Sequence, residues 1–123
     1  MNTAWRHVLL GVTVVLSALV SQHAGAQVKV GSKNFTEGVI VGELARLSLA
    51  DAGVTTEHRR QLGGTRILWE ALLAGAIDVY PDYTGTLRFE LLADEKLRDD
   101  SELAAALARY DIGMTRSLGF ENS

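Results

Sequence analysis

Val28-Lys29-Val30-Gly31-Ser32-Lys33-Asn34-Phe35-Thr36-Glu37 is the stretch whose reading decides the fold. Gln27 to Gly31 alternates polar and apolar residues, a short β signal. Ser32 to Phe35 is a polar turn with one aromatic ring. From Thr36 the apolar positions Val39, Ile40, Leu44, Leu47 and Ala50 recur at three- and four-residue spacing, which predicts a helix over Thr36 to Ala52. Thr36 or Asn34 is placed to cap it, Glu37 suits its first turn and Gly53 its C-terminal stop. A strand feeding a helix through a short polar loop is the first half of a βαβ unit.

The pattern continues outward. Val54 to Gln61 reads as a second, partly exposed strand, broken by Leu62-Gly63-Gly64. Thr65 is placed to cap a helix to about Ala74, with Ile67, Leu68, Ala71 and Leu72 inward and Gly75 closing it. Ala76 to Tyr80 reads as a third strand, and Pro81 to Gly85 as a turn. Helices are expected over Thr86 to Leu92 and Ser101 to Arg109, joined by the solvated charged run Asp94 to Asp100. Strands alternating with helices predict an α/β fold, a βαβαβ parallel sheet with right-handed crossovers. Ligands of such sheets bind beyond the strand C-termini. That rule brings together three loops: Ser32 to Thr36, Leu62 to Thr65 and Pro81 to Thr86. Each enters a helix N-terminus, where free N–H groups suit a carboxylate or other acceptor.

The segment 1–26 reads differently. Met1 to His7 carries Arg6 and no acid, Val8 to Val20 is an apolar run broken by Gly11, Thr13 and Ser17, and Ala24-Gly25-Ala26 has the form of a cleavage site. These are the three parts of a secretory signal peptide, and the run is shorter than the roughly 20 apolar residues of a membrane span. The expected organisation is a signal-peptide helix over 1–26, removed on export, then a mature segment over 27–123. The whole sequence has 123 residues, 12 basic and 15 acidic, for a net charge of -3. The leader would remove one basic residue and no acid, so the remainder is one unit more acidic, with no basic nucleic-acid footprint. Cysteine is absent, which excludes disulfides, thiolate metal sites and a cysteine nucleophile. His58 is the only histidine outside the leader. A histidine metal site is therefore not expected, and a Ser-His-acid triad would have to use His58, whose charged run reads as a solvated strand end.

The loops carry the chemistry. Phe35, Tyr80 and Tyr83 lie in or beside them, with Glu37, Asp78 and Asp82. Aromatic faces with nearby carboxylates suit a cation that cannot donate hydrogen bonds, such as a quaternary ammonium. Packing tyrosines and capping acids would look the same in sequence. Gly63-Gly64-Thr65 lacks the lysine spacing of a P-loop and reads as a tight turn and cap. Asp78 and Asp82 are the carboxylates an enzyme could use as acid and base.

Val30-Gly31-Ser32-Lys33-Asn34-Phe35-Thr36-Glu37, Leu62-Gly63-Gly64-Thr65 and Gly75-Ala76-Ile77-Asp78-Val79-Tyr80-Pro81-Asp82-Tyr83-Thr84-Gly85-Thr86 occur in that order. Together they resemble the N-terminal lobe of the glycine betaine/choline/carnitine-binding proteins of osmoprotectant ABC importers. The resemblance implies that 27–123 is a partial N-terminal lobe of a periplasmic substrate-binding domain, half of a type II periplasmic-binding-protein fold whose two lobes close on a trimethylammonium solute in an aromatic cage. It implies a quaternary-ammonium solute and an inner-membrane ABC permease as partners, no cofactor, no metal and no catalytic residues. Carried over by motif, Tyr83 is a cage wall and Thr86 a polar neighbour. Asn34, Phe35 and Thr36 line the first loop, and Thr65 with Arg66 the second. Many members have glutamine where this chain has Gly38, which removes one side chain from the first loop. Leu118 to Ser123 resembles the stretch before the crossing into the second lobe, so the missing lobe would supply the other cage aromatics. A non-functional lobe fragment, an envelope enzyme using the loop carboxylates and a regulatory effector domain are the competing readings. The export signal and the lack of a basic DNA-binding module oppose the last.

Overall fold

The structure is a computed structural model and describes residues 26–119. The expected leader, but for Ala26, and the end of the Leu118 to Ser123 stretch lie outside the described residues. The elements run β1 Val28–Gly31, α1 Thr36–Asp51, β2 Thr56–Arg59, α2 Thr65–Leu73, α3 Thr84–Thr86 and α4 Asp100–Ala108. Leu87–Leu91 continues α3 as a π turn, closed by Leu92 N–H donating to the Leu87 carbonyl, and Ala93–Glu95 is a 3-10 turn.

β1 is the centre of the sheet. It pairs in parallel with β2, Val28 opposite Thr56 and Gly31 opposite Arg59. Its other edge meets the expected third strand, which reduces to a single parallel bridge between Val30 and Val79. Side chains explain the shortening. Lys29 N–H, a ladder donor, is taken by Asp78 Oδ2 at 2.7 Å. Ala76 and Ile77 N–H groups turn back to the Ala71 carbonyl, and Pro81 follows. The segment is held by Gly31 N–H to the Val79 carbonyl and by Lys29 Nζ and Arg59 Nη1 on the carbonyls of Gly75 and Ala76.

α1 reverses the expected burial. Ile40, Leu44 and Leu47 are about half exposed and Ala50 is exposed, while Gly38 and Gly42 are the buried residues. The helix packs by close backbone approach rather than by its apolar stripe. A Cβ on Gly42 would lie 2.7 Å from His58 Nε2 and 3.1 Å from Ser32 Cβ. The expected caps also differ. Phe35 and Gly64 occupy the N-cap positions of α1 and α2 and have no side-chain acceptor for a cap bond; Thr36 and Thr65 lie one residue inside the helices, and Thr65 Oγ1 accepts from Lys33. Gly53 and Gly75 do end these helices, at φ +84° and +74°, where a side chain would be strained.

α2 separates two apolar clusters. Leu68 faces the sheet with Val30 and Ile77, all essentially inaccessible. Trp69, one residue on, faces Leu92, Leu103, Ala106 and Leu107 and meets Tyr110 edge-on at 5.3 Å. Ile67, expected inward, is exposed, and Ala71 and Leu72 are half buried. Asp99 caps α4 by accepting from Glu102 N–H at 2.8 Å. Gly31 is the tightest point of the sheet core: a Cβ there would lie 2.6 Å from Ile77 Cδ1 and 3.1 Å from Leu68 Cδ1. Gly31→Val should therefore lower stability by about 1–3 kcal/mol through overpacking. A urea midpoint unchanged from the parent chain would contradict this packing.

Candidate functional site

The three loops meet at the C-terminal edge of β1, as the crossover rule requires. Backbone bonds join the first two: Asn34 N–H donates to the Gly63 carbonyl at 3.1 Å, and Leu62 N–H to the Ser32 carbonyl at 3.0 Å. Lys33 joins all three. Its ammonium donates to Thr65 Oγ1 at 2.9 Å and to Asp82 Oδ1 at 2.7 Å. The Lys33 and Asp82 side chains are only 8% and 4% exposed, so the pair is shielded from screening water. Asp82 Oδ1 also accepts the Tyr83 N–H at 2.8 Å and sets the start of α3.

Above this pair lie the aromatic residues. Phe35 and Tyr83 stack with ring centroids 6.5 Å apart and planes 21° from parallel. Tyr83 is partly exposed and its hydroxyl donates to Glu37 Oε1. That bond, with the nearby charges of Glu37 and Asp82, raises its phenol pKa above the ordinary value. Tyr80 differs: its hydroxyl is buried without a hydrogen-bond partner among the described residues, as is Asp82 Oδ2. Burial, then the Asp82 charge, pushes its phenol well above the usual range.

Of the expected site residues, Phe35, Tyr83 and Thr65 are thus brought into one cluster. Asn34, Thr36 and Arg66 are exposed at its margin and Thr86 is half buried, without a side-chain hydrogen bond among the described residues. Lys33, Glu37 and Asp82 are the organising side chains that motif matching left out. The signal for Lys33 was present: a lysine between two loop residues at a sheet edge, with an acid in a sister loop. The two carboxylates an enzyme reading needs are both committed, Asp82 to Lys33 and Tyr83 N–H, Asp78 to Lys29 N–H.

A second constellation has catalytic dimensions. Ser32 Oγ lies 2.8 Å from His58 Nε2, and His58 Nδ1 lies 2.8 Å from Glu43 Oε2. His58 is not the solvated strand end its charged neighbours indicate; its side chain is 2% exposed. Ser32 is completely buried and the Gly42 backbone closes over the pair. A nucleophile must reach substrate, and here no approach is open. The relay instead ties β1, β2 and α1 together. Arg46, then His58, holds the Glu43 carboxyl at about 2 rather than 4.5. Among the described residues no acid and histidine cluster could hold a metal, and no helix is long and apolar enough to cross a membrane.

Comparison with known proteins bears on this geometry. The family model OpuAC, the substrate binding domain of ABC-type glycine betaine transport systems, matches residues 26–123. The chain belongs to this family. It is 40% identical over 80 residues to the glycine betaine-binding protein YehZ of Escherichia coli K12, covering 64% of this chain and 26% of that protein. A solved structure described as apo YehZ from Escherichia coli superposes with TM-score 0.58 at 33% identity, over 71% of this chain and 32% of that one. The chain thus spans about a quarter of the length of the curated relative. The α/β architecture with its parallel sheet agrees with this periplasmic-binding-protein fold.

Two measurements check the site. Lys33→Met leaves Asp82 buried and uncompensated, so it should destabilise the chain by about 3–5 kcal/mol, and Lys33→Met with Asp82→Leu by less. Equal losses in urea unfolding would mean that the ion pair is not coupled. The folded Glu43 carboxyl titrates below its unfolded value, so its contribution is present above pH 4.5 and drains as pH falls toward about 2. Glu43→Gln should flatten that limb of the pH–stability curve, and an unaltered limb would contradict the relay.

Proposed function

We propose that this chain forms the first-lobe part of an extracytoplasmic solute-binding component of an ABC importer. Its solute is a quaternary-ammonium osmoprotectant such as glycine betaine or choline. The observation that carries the reading is the Phe35–Tyr83 pair at the loop edge, beside the carboxylate of Glu37. A permanently methylated nitrogen donates no hydrogen bond, so ring faces and nearby negative charge are the groups that can hold it. Membership of a substrate-binding family supports binding rather than catalysis, as does the commitment of both loop carboxylates. Phe35 and Tyr83 form the wall, while Asn34, Thr36, Thr65, Arg66 and Thr86 frame its margin. The leader reading of 1–26 belongs to the same proposal: export places the wall where a permease can receive the solute.

One wall is half a cage. Cation–π contacts are worth about 0.5–1 kcal/mol when exposed and about 2 or more when desolvated. Two partly exposed rings fall short of the roughly 4 kcal/mol of a millimolar complex, so the lone chain binds weakly and a facing lobe completes the cage. Saturation-transfer NMR on the full chain reads such weak binding from the solute methyl protons. Glycine betaine and choline should both show transfer, and Tyr83→Ala should remove most of it. Transfer that survives Tyr83→Ala unchanged would refute the wall.

A further inference from the structure

The first turn of α1 holds both rings of the aromatic pair, each by a different residue. Gly38 is buried, and a Cβ on it would lie 3.1 Å from Phe35 Cζ, 3.2 Å from Cε1 and 3.5 Å from Cε2. Three carbons of one ring at nearly equal distance mean that Phe35 rests on bare helix backbone. Its neighbour Glu37 accepts the hydroxyl hydrogen of Tyr83, which arrives from the third loop, 46 residues away. The Tyr83 backbone is fixed separately by Asp82 Oδ1. Two anchors, one at each end of the residue, leave the ring little freedom to rotate away from Phe35.

We infer that Glu37 is the positioning and charge-selecting residue of the aromatic wall: it holds the Tyr83 ring against Phe35 and adds the negative charge that favours a cationic head group. The inference rests on the reading of this edge as a quaternary-ammonium site. Hydrogen bonding and charge can be separated, because glutamine keeps the acceptor and loses the charge. Lys33 lies nearby but is neutralised by Asp82, so Glu37 is the carboxylate of the wall not matched to a cation among the described residues. At an exposed site a carboxylate a few ångströms from a cation is worth about a factor of two to five in affinity.

The experiment compares the full chain with Glu37→Gln and Glu37→Ala, with circular dichroism to establish folding. Without ligand, the phenolate absorbance of Tyr83, assigned by difference from Tyr83→Phe, should titrate above the ordinary phenol range. In Glu37→Gln it should move down toward that range. Two probes then differ only in head-group charge: glycine betaine and 3,3-dimethylbutanoate, in which carbon replaces the quaternary nitrogen. Glu37→Gln should weaken glycine betaine about two- to fivefold and should not weaken 3,3-dimethylbutanoate, whose carboxylate loses a repulsion, while Glu37→Ala should weaken both relative to Glu37→Gln. A Tyr83 titration identical in parent and Glu37→Gln overturns the positioning role. Equal weakening of both probes by Glu37→Gln overturns the charge-selecting role. If neither probe binds the parent chain, the quaternary-ammonium reading and charge selection fail together, and the titration still decides whether Glu37 positions the ring.

Discussion

A lysine ammonium buried between a threonine hydroxyl and an aspartate holds this edge of the molecule together. Lys33, Thr65 and Asp82 come from three loops that follow three successive β segments. A charge taken out of water must be met by an opposite charge and by hydrogen bonds, or the structure rearranges. Burial of Lys33 therefore dictates where the second and third loops sit. The sheet alone would not do so, because its third segment contributes only one bridge to β1. The ion pair replaces missing ladder bonds as the constraint on loop position.

From that constraint the aromatic wall follows. Asp82 fixes the Tyr83 backbone, so the ring projects from a defined point at the start of α3. The same edge presents the first turn of α1, where Gly38 leaves room for Phe35 and Glu37 meets the phenol. A rigid scaffold beneath and partly exposed rings above is the usual division of labour at a binding edge. The Ser32–His58–Glu43 relay supports the scaffold from behind. It has the distances of a hydrolytic triad without the access, so burial rather than geometry decides its role.

Much of the architecture was legible in the chain. The strand–loop–helix order, the glycine stops after α1 and α2, and the convergence of three loops all follow from local pattern and crossover handedness. Less legible was which face of each helix turns inward. The spacing of Ile40, Leu44 and Leu47 is that of a buried stripe, yet Gly38 and Gly42 are the residues packed inside. Glycine carries no hydrophobic signal, so a helix that packs by backbone approach misleads any reading of periodicity. Trp69, adjacent to inward-facing Leu68, escaped for a related reason: α2 has a core on two sides.

The amino-acid sequence by itself determined the α/β order and the three motif loops, because turn residues, glycine stops and alternation act over a few neighbours. Only the tertiary structure decided that Lys33 and Asp82 are buried together, that His58 is sealed under α1, and that Glu37 reaches Tyr83. Each of these joins residues 15 to 49 positions apart. Such pairs are chosen by how elements pack against one another, and packing is settled by volume and desolvation across the whole domain rather than by any local run of residues.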